Sequence, residues 1–213
     1  MNYSMISYIL GWIFNFEAAF MILPGITAII YREKNGLAFL ITMLICLTIG
    51  IPLTRRKRKS KVFHAKEGAV TVALSWLVLS IAGALPFIIS GSIPHPIDAI
   101  FETVSGFTTT GASVLSDVEA LSHCMLIWRS FTHWVGGMGV LVFTMVVLPV
   151  SDGRAMHLMR AESPGPSVGK ISSKIRDTAK ILYAMYLVLT VVQTILLRLV
   201  GLPWYLSLIH ISE

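Results

Sequence analysis

Residues 97–114 read Ile97-Asp98-Ala99-Ile100-Phe101-Glu102-Thr103-Val104-Ser105-Gly106-Phe107-Thr108-Thr109-Thr110-Gly111-Ala112-Ser113-Val114, and the fold turns on this stretch. Pro94 and Pro96 stand just before it and break the chain. Ile97, Ile100, Phe101 and Val104 then recur at helical spacing. Asp98 sits near the start, where the helix dipole favours an anion, and Gly106 is a natural stop. Such a helix is ~15 Å long at 1.5 Å per residue, about half of the ~30 Å hydrocarbon core of a bilayer.

Outward from this short helix the sequence is a series of longer apolar runs. They cover Ile6–Ile30 (interrupted only by Asn15, Glu17 and Pro24), Leu37–Leu53, Ala69–Ile89, Ser122–Val150 and Ile181–Val200. A bilayer requires ~20 residues of helix, and the fourth run is long enough to cross with tilt and extend beyond it. The composition agrees: 55% of the 213 residues are hydrophobic and 13% charged, and the mean hydropathy is +0.76. A soluble domain carries about 25% charge. The first run is no cleaved leader by its anatomy, since no basic residue precedes Arg32 and Glu17 lies inside it. The reading is an all-α membrane protein, because only helices or closed barrels satisfy the backbone in lipid.

A half-length apolar helix between two full spans reads as a re-entrant pore helix. The Thr108-Thr109-Thr110-Gly111 run after it is a poor helix and is expected as an extended strand whose carbonyls point one way. Irregular backbone is tolerated at membrane depth only where it lines a cavity or is buried in protein, and rings of backbone carbonyls can replace the hydration shell of an alkali cation. The candidate ligands are the main-chain carbonyls of Thr109, Thr110 and Gly111, flanked by Thr108 and Ala112, with the threonine hydroxyls as props. No carboxylate lies within Thr108–Gly111, which favours a monovalent cation over calcium or magnesium. The plain alternative is an outer loop with a threonine-rich turn.

The net charge of +6 does not point to nucleic acid, because the charges fall in short blocks between apolar runs. Residues 54–68 and 151–180 hold thirteen of the 17 Lys and Arg residues, whereas 90–121 holds none and carries Asp98, Glu102, Asp117 and Glu119. By the positive-inside rule both basic loops and the amino terminus are cytoplasmic.

Several residues invite competing readings. Arg129, about two turns into the fourth run, needs a partner in the membrane. Glu102 is the nearest in topology, so a Glu102–Arg129 ion pair is expected to fix the pore helix; the competing role is repulsion of cations in the path. Gly136, Gly137 and Gly139 are expected to share one helix and allow close helix packing. His123 and His133 are polar interfacial or packing residues. Glu17 either pairs with Asn15 or a polar neighbour or belongs to a relay. Cys46 and Cys124 have no metal-like spacing and read as apolar-environment residues.

Four ordered motifs resemble the Trk/Ktr/HKT potassium transporter family, most closely its bacterial uptake subunits. They are Phe101–Ser113, Trp128–Gly139 (Trp128-Arg129-Ser130-Phe131-Thr132-His133-Trp134-Val135-Gly136-Gly137-Met138-Gly139), Arg160–Pro166 and Lys174–Tyr183. The resemblance implies four helix–pore loop–helix repeats around one ion path, a partial four-repeat potassium-channel-like architecture in this chain, and potassium as the transported ion with no organic cofactor. It implies a multi-pass location in the bacterial cytoplasmic (inner) membrane among lipid, a homodimer at full length, and a cytosolic nucleotide-binding regulatory subunit as partner.

The expected organisation is an introductory two-helix hairpin (1–53), a basic cytoplasmic loop (54–68), one helix–pore loop–helix repeat (69–150), a cytoplasmic linker (151–180) and the first helix of a second repeat (181–205). The residues 206–213 can be encoded by CTG TCT CTT ATA CAC ATC TCC GAG, a transposase end used in library construction, and are expected to be an adapter-derived tail. With one filter segment of four, the fragment alone is expected to be inactive. The alternatives are a structural or assembly membrane subunit with a non-conducting pore-like loop, or a membrane enzyme; the spans carry no Ser-His-Asp set, His-Glu-x-x-His or carboxylate pair for the latter.

Overall fold

The computed structural model describes residues 2–55, 65–139 and 175–201. These form seven helices: α1 (Tyr3–Phe20), α2 (Ile22–Ile30), α3 (Gly36–Arg55), α4 (Ala65–Ser90), α5 (Pro96–Phe107), α6 (His123–Met138) and α7 (Ile175–Leu199). Among the described residues there is no strand. Four stretches of the described residues are long and apolar enough to cross a membrane: Tyr3–Ile30, Gly36–Arg55, Lys66–Ser90 and Ile181–Leu199. The chain is an all-α membrane protein, as its composition requires.

Several boundaries differ from the hydropathy reading. The first run is two helices, broken at Met21. Pro24 explains the break, because it lacks the N–H that would bond back one turn to Phe20. Helices α4 and α7 begin at Ala65 and Ile175, before their apolar runs. Hydropathy marks where lipid begins, and a helix can carry a polar turn beyond it. The fourth run is helical to Met138, and Gly139 comes next at φ 70°. Its remainder, most of the 151–180 linker, the motif Arg160–Pro166 and the tail 206–213 fall outside the described residues.

The core has a small cluster of Ala18, Cys46 and Ala82 and two larger ones. Met5, Ile9 and Ile13 of α1 pack with Val72 and Leu79 of α4, Phe107 of α5 and Val135 of α6. Met21, Phe39, Phe87, Ala99, Met125 and Trp128 fill the other. Asn2 N–H donates to the Glu67 carboxylate at 2.5 Å, which ties the start of α1 to the start of α4 at one end.

At the opposite end the turn between α2 and α3 caps α6. Ser122, at the N-cap, makes no side-chain cap bond. Glu33, 90 residues before His123, takes that place: its oxygens accept from His123 N–H at 2.8 Å and Cys124 N–H at 2.9 Å. His123 Nδ1 lies 2.8 Å from the same carboxylate. Its ring stacks on Tyr31 at 4.1 Å, and Asn35 Nδ2 donates to Ser122 Oγ at 2.9 Å. A carboxylate here satisfies orphan N–H groups and sits at the positive end of the helix dipole. Burial acts to raise the Glu33 pKa, but the hydrogen bonds from Cys124 and His123 outweigh it and hold the group below its ordinary 4.5.

Candidate ion pathway

Helix α5 dips inward between α4 and α6. Its depth can be read from its neighbours on α6, which starts at the same end. Glu102 meets Arg129, Gly106 lies against Thr132, and the backbone of Phe107 lies against Gly136. Gly136 is thirteen residues into α6, or about 20 Å along it at 1.5 Å per residue. On the other side Thr103 Oγ1 donates to Ser80 O at 2.8 Å, and Trp128 Nε1 donates to Gly83 O at 2.9 Å. The contact at Gly136 is so close that a Cβ there would collide with the carbonyl of Phe107.

The pore helix spans Pro96–Phe107, so Gly106 is inside it rather than at its stop. A Cβ at Gly106 would strike Thr132 Oγ1, so the glycine serves packing. The helix ends instead through Thr109. Thr110 N–H donates to Ser105 O and Thr109 N–H to Gly106 O, both at 2.9 Å. These crossed bonds form the left-handed helix ending that glycine usually supplies, with Thr109 at φ 55°. A β-branched residue in this region is an outlier, and such strain persists only where its surroundings hold it.

Beyond the helix the chain does not adopt the expected extended strand. Thr108 has φ −86°, Thr109 +55° and Gly111 +75°, with Thr110 between them on the ordinary side. The reason is geometric: in a regular strand successive residues alternate faces, so their carbonyls alternate too. Backbone that switches hand at every second residue can gather them.

The hydroxyls of the three threonines are occupied locally. Thr108 Oγ1 donates to Val104 O at 2.7 Å and lies 2.7 Å from Thr110 Oγ1. Thr109 Oγ1 donates to Thr108 O at 2.7 Å. Among the described residues, the carbonyls of Thr109, Thr110 and Gly111 accept no hydrogen bond. Thr108, all three of those residues and Ala112 are exposed.

Glu102 holds the returning chain. It is 1% exposed and Arg129 4%, and Arg129 Nε donates to Glu102 Oε1 at 2.6 Å. The same carboxylate accepts from Ser113 Oγ at 3.0 and 3.1 Å and from Val114 N–H at 3.0 Å. One buried anion thus ties α5, α6 and the segment leaving the threonine run. Ser113 and Val114 were not among the expected site residues; Ser113 closes the first motif and Val114 follows it directly.

The other sequence candidates lie elsewhere. Gly136 packs on α5, Gly137 faces the Tyr186 hydroxyl of α7, and Gly139 ends α6. The three glycines therefore do not share one helix surface: 136 and 137 point to different neighbours, and 139 lies past the last turn. Glu17 does not pair with Asn15. Residues two apart on a helix face different ways, and Asn15 packs on Gly50 of α3 while Glu17 packs on Gly83 of α4. His133 is buried with Nδ1 3.0 Å from Arg129 O, and His123 belongs to the cap of α6. Cys46 and Cys124 are buried and free. Among the described residues no group of His, Cys, Asp and Glu could hold a metal ion.

Known proteins resemble this chain in sequence and in fold. Residues 35–207 match the family described as TrkH, cation transport protein. The chain is 40% identical over 213 residues to the Trk system potassium uptake protein TrkH of Salmonella typhimurium, covering 99% of this chain and 44% of that one. It is 39% identical to the protein of the same name from Escherichia coli K12, with the same coverage. It superposes on the crystal structure of the potassium transporter TrkH from Vibrio parahaemolyticus with a TM-score of 0.79 at 31% identity, over 100% of this chain and 42% of that one. The chain thus spans less than half the length of these relatives. By the family match and the shared fold, it belongs to the TrkH family of cation transport proteins.

Proposed function

We propose that this chain supplies one filter-bearing quarter of a potassium-conducting pore, with the ion held by the carbonyls of Thr109, Thr110 and Gly111 and flanked by Thr108 and Ala112. The observation that carries the reading is the hand-switching backbone at the end of an inward-dipping helix, with carbonyls that have no hydrogen-bond donor among the described residues. Oxygens left free at membrane depth, where unsatisfied polar groups are costly, are suited to a desolvated alkali cation. The Glu102–Arg129 pair and its bonds to Ser113 and Val114 would keep them in position.

One quarter makes no ring of carbonyls, so conduction would need three more filter segments of this kind, and the fragment alone would be inactive. The relatives are potassium uptake proteins by name, which supports potassium as the cargo. In the same proposal the protein sits in the bacterial inner membrane with its amino terminus cytoplasmic. That orientation rests on the basic residues of 54–68 and 151–180. A homodimer and a cytosolic nucleotide-binding regulatory subunit complete it, as does the division into an introductory hairpin, one whole repeat and the first helix of a second.

The test is complementation of potassium-uptake-deficient cells by a protein of the relatives' length that carries these residues. Growth at low potassium is expected, and Gly111→Asp is expected to abolish it, because an aspartate side chain at φ 75° would strain the backbone and add a carboxylate to the ion path. Uptake that survives Gly111→Asp would refute the filter.

A further inference from the structure

A cavity separate from the threonine run lies in the surface between α2 and α3. It is about 520 Å³ in volume and is walled by Met21, Ile22, Ile26, Phe39, Leu40 and Met43. That volume is in the range of pockets that bind small molecules. It opens sideways: Ile22, Ile26, Ile29, Leu37 and Leu40 around it are all exposed. Gly25 forms part of its wall, and a Cβ built there meets nothing within 4 Å. The groove runs from Met43 to the α2–α3 turn, about 10 Å of helix, a depth comparable with one leaflet's ~15 Å share of the hydrocarbon core.

Arg32 stands at the turn end of this groove and lines it. It is exposed, and no carboxylate pairs with it among the described residues. Its neighbour Glu33 also reaches the groove wall, but its oxygens are engaged by His123 and Cys124, so its charge is turned toward α6. Arg32 has a left-handed backbone, φ 54°, which a non-glycine residue adopts at some cost. Placed in a bilayer, an apolar slot that opens sideways and ends in a guanidinium with no carboxylate partner among the described residues has the polarity of a phospholipid. The tail matches the slot, and the phosphate matches the fork of N–H donors that arginine presents.

We propose that the α2–α3 groove is a binding site for an anionic phospholipid, with an acyl chain along Ile22, Ile26 and Leu40 and the headgroup phosphate on Arg32. Such binding is independent of conduction and needs only that these helices lie in a bilayer. A protein partner would be the other kind of occupant, but the exposed residues around the slot are apolar and one cation closes its end, which favours an amphiphile with one negative head.

The test compares thermal unfolding of the detergent-solubilised chain with added dioleoyl phosphatidylglycerol or dioleoyl phosphatidylcholine. Phosphatidylglycerol is expected to raise the Tm at lower concentration than phosphatidylcholine. Arg32→Gln should weaken the phosphatidylglycerol response about fivefold, the equivalent of the ~1 kcal/mol that one basic side chain adds at an anionic surface, and make the two lipids equivalent. Gly25→Leu, which the open space accommodates, should fill the slot and remove the response to both. The proposal is overturned if the unmodified chain does not distinguish the two lipids, or if the preference survives Arg32→Gln. A full response in Gly25→Leu would overturn it as well. Should Gly25→Leu fail to elute as a single species, the two-lipid comparison and Arg32→Gln still decide.

Discussion

Glu102 and Glu17 are both sealed from solvent, and their surroundings are opposite. Glu102 of α5 receives an arginine, a hydroxyl and a backbone N–H. Glu17 of α1 is 0% exposed, and neither of its oxygens has a hydrogen-bond partner among the described residues. Burial of a charge is costly unless it is paired and hydrogen-bonded. Both glutamates lie inside apolar segments, and the sequence offers Glu102 an arginine partner but Glu17 none. The difference is what each touches. Glu102 joins two helices to the segment that leaves the threonine run, whereas Glu17 faces Gly83, a residue with no side chain to answer it. A buried carboxylate with partners holds its neighbourhood in shape, and one without them forgoes stability.

The sharpest way to break this comparison is to remove one member of the satisfied set. Glu102→Ala or Arg129→Ala leaves the other charge buried without its ion-pair partner, and should cost about 3–5 kcal/mol, read as a shift in denaturant midpoint in detergent. The double change Glu102→Leu with Arg129→Met should recover most of that stability, since a buried pair can often be replaced by apolar residues at little cost. It would not restore the anchors for Ser113 and Val114. Additive losses in the double mutant would show that the two side chains do not act as a pair.

At Glu17 the opposite sign is expected. Glu17→Leu removes a buried group without a partner, and should stabilise the chain by about 1–3 kcal/mol, the usual penalty for such a group. A loss of comparable size would reveal an interaction at Glu17 and erase the contrast with Glu102.

The smallest effect belongs to a third carboxylate, Glu33, at the membrane surface. Its folded pKa is held below 4.5 by the bonds from Cys124 and His123. A depressed carboxylate gives stability that is fully present above the unfolded value, and loses it as pH falls through the lower folded value. Glu33→Gln should therefore cost about 0.3–1 kcal/mol at neutral pH, the usual worth of an anion at a helix start. Unfolding curves at neutral pH and in acid, well below the ordinary carboxylate value, should converge for the two proteins at the acid end. A constant difference at both pH values would assign the effect to packing instead of charge.

These particulars also show what the chain's letters could and could not convey. The pore helix was legible to within one residue at each end, because Pro96 and the Ile97, Ile100, Phe101, Val104 spacing are local signals. Arg129 and Glu102 were legible as partners because a charge inside an apolar run has few places to go. Proline at 24 was visible, but its break falls at Met21, one turn earlier, where the missing bond acts. The cap of α6 by Glu33 was not legible, because it joins residues 90 apart through tertiary packing. Nor was the hand of Thr109, since nothing in a threonine announces a positive φ. Gly106 misled for the same reason: glycine permits both a helix ending and a close contact, and only the neighbour Thr132 tells them apart.

The ending at Thr109 has a consequence for how such a segment can change over time. Each residue added to or removed from a helix turns everything after it by about 100° and moves it by about 1.5 Å. Because the carbonyls of Thr109–Gly111 hang directly from the last turn of α5, a one-residue insertion or deletion between Pro96 and Phe107 would swing them away together. Substitutions along the stub can be absorbed singly, but its length is locked, as the tooth count of a gear is locked to the wheel that meets it.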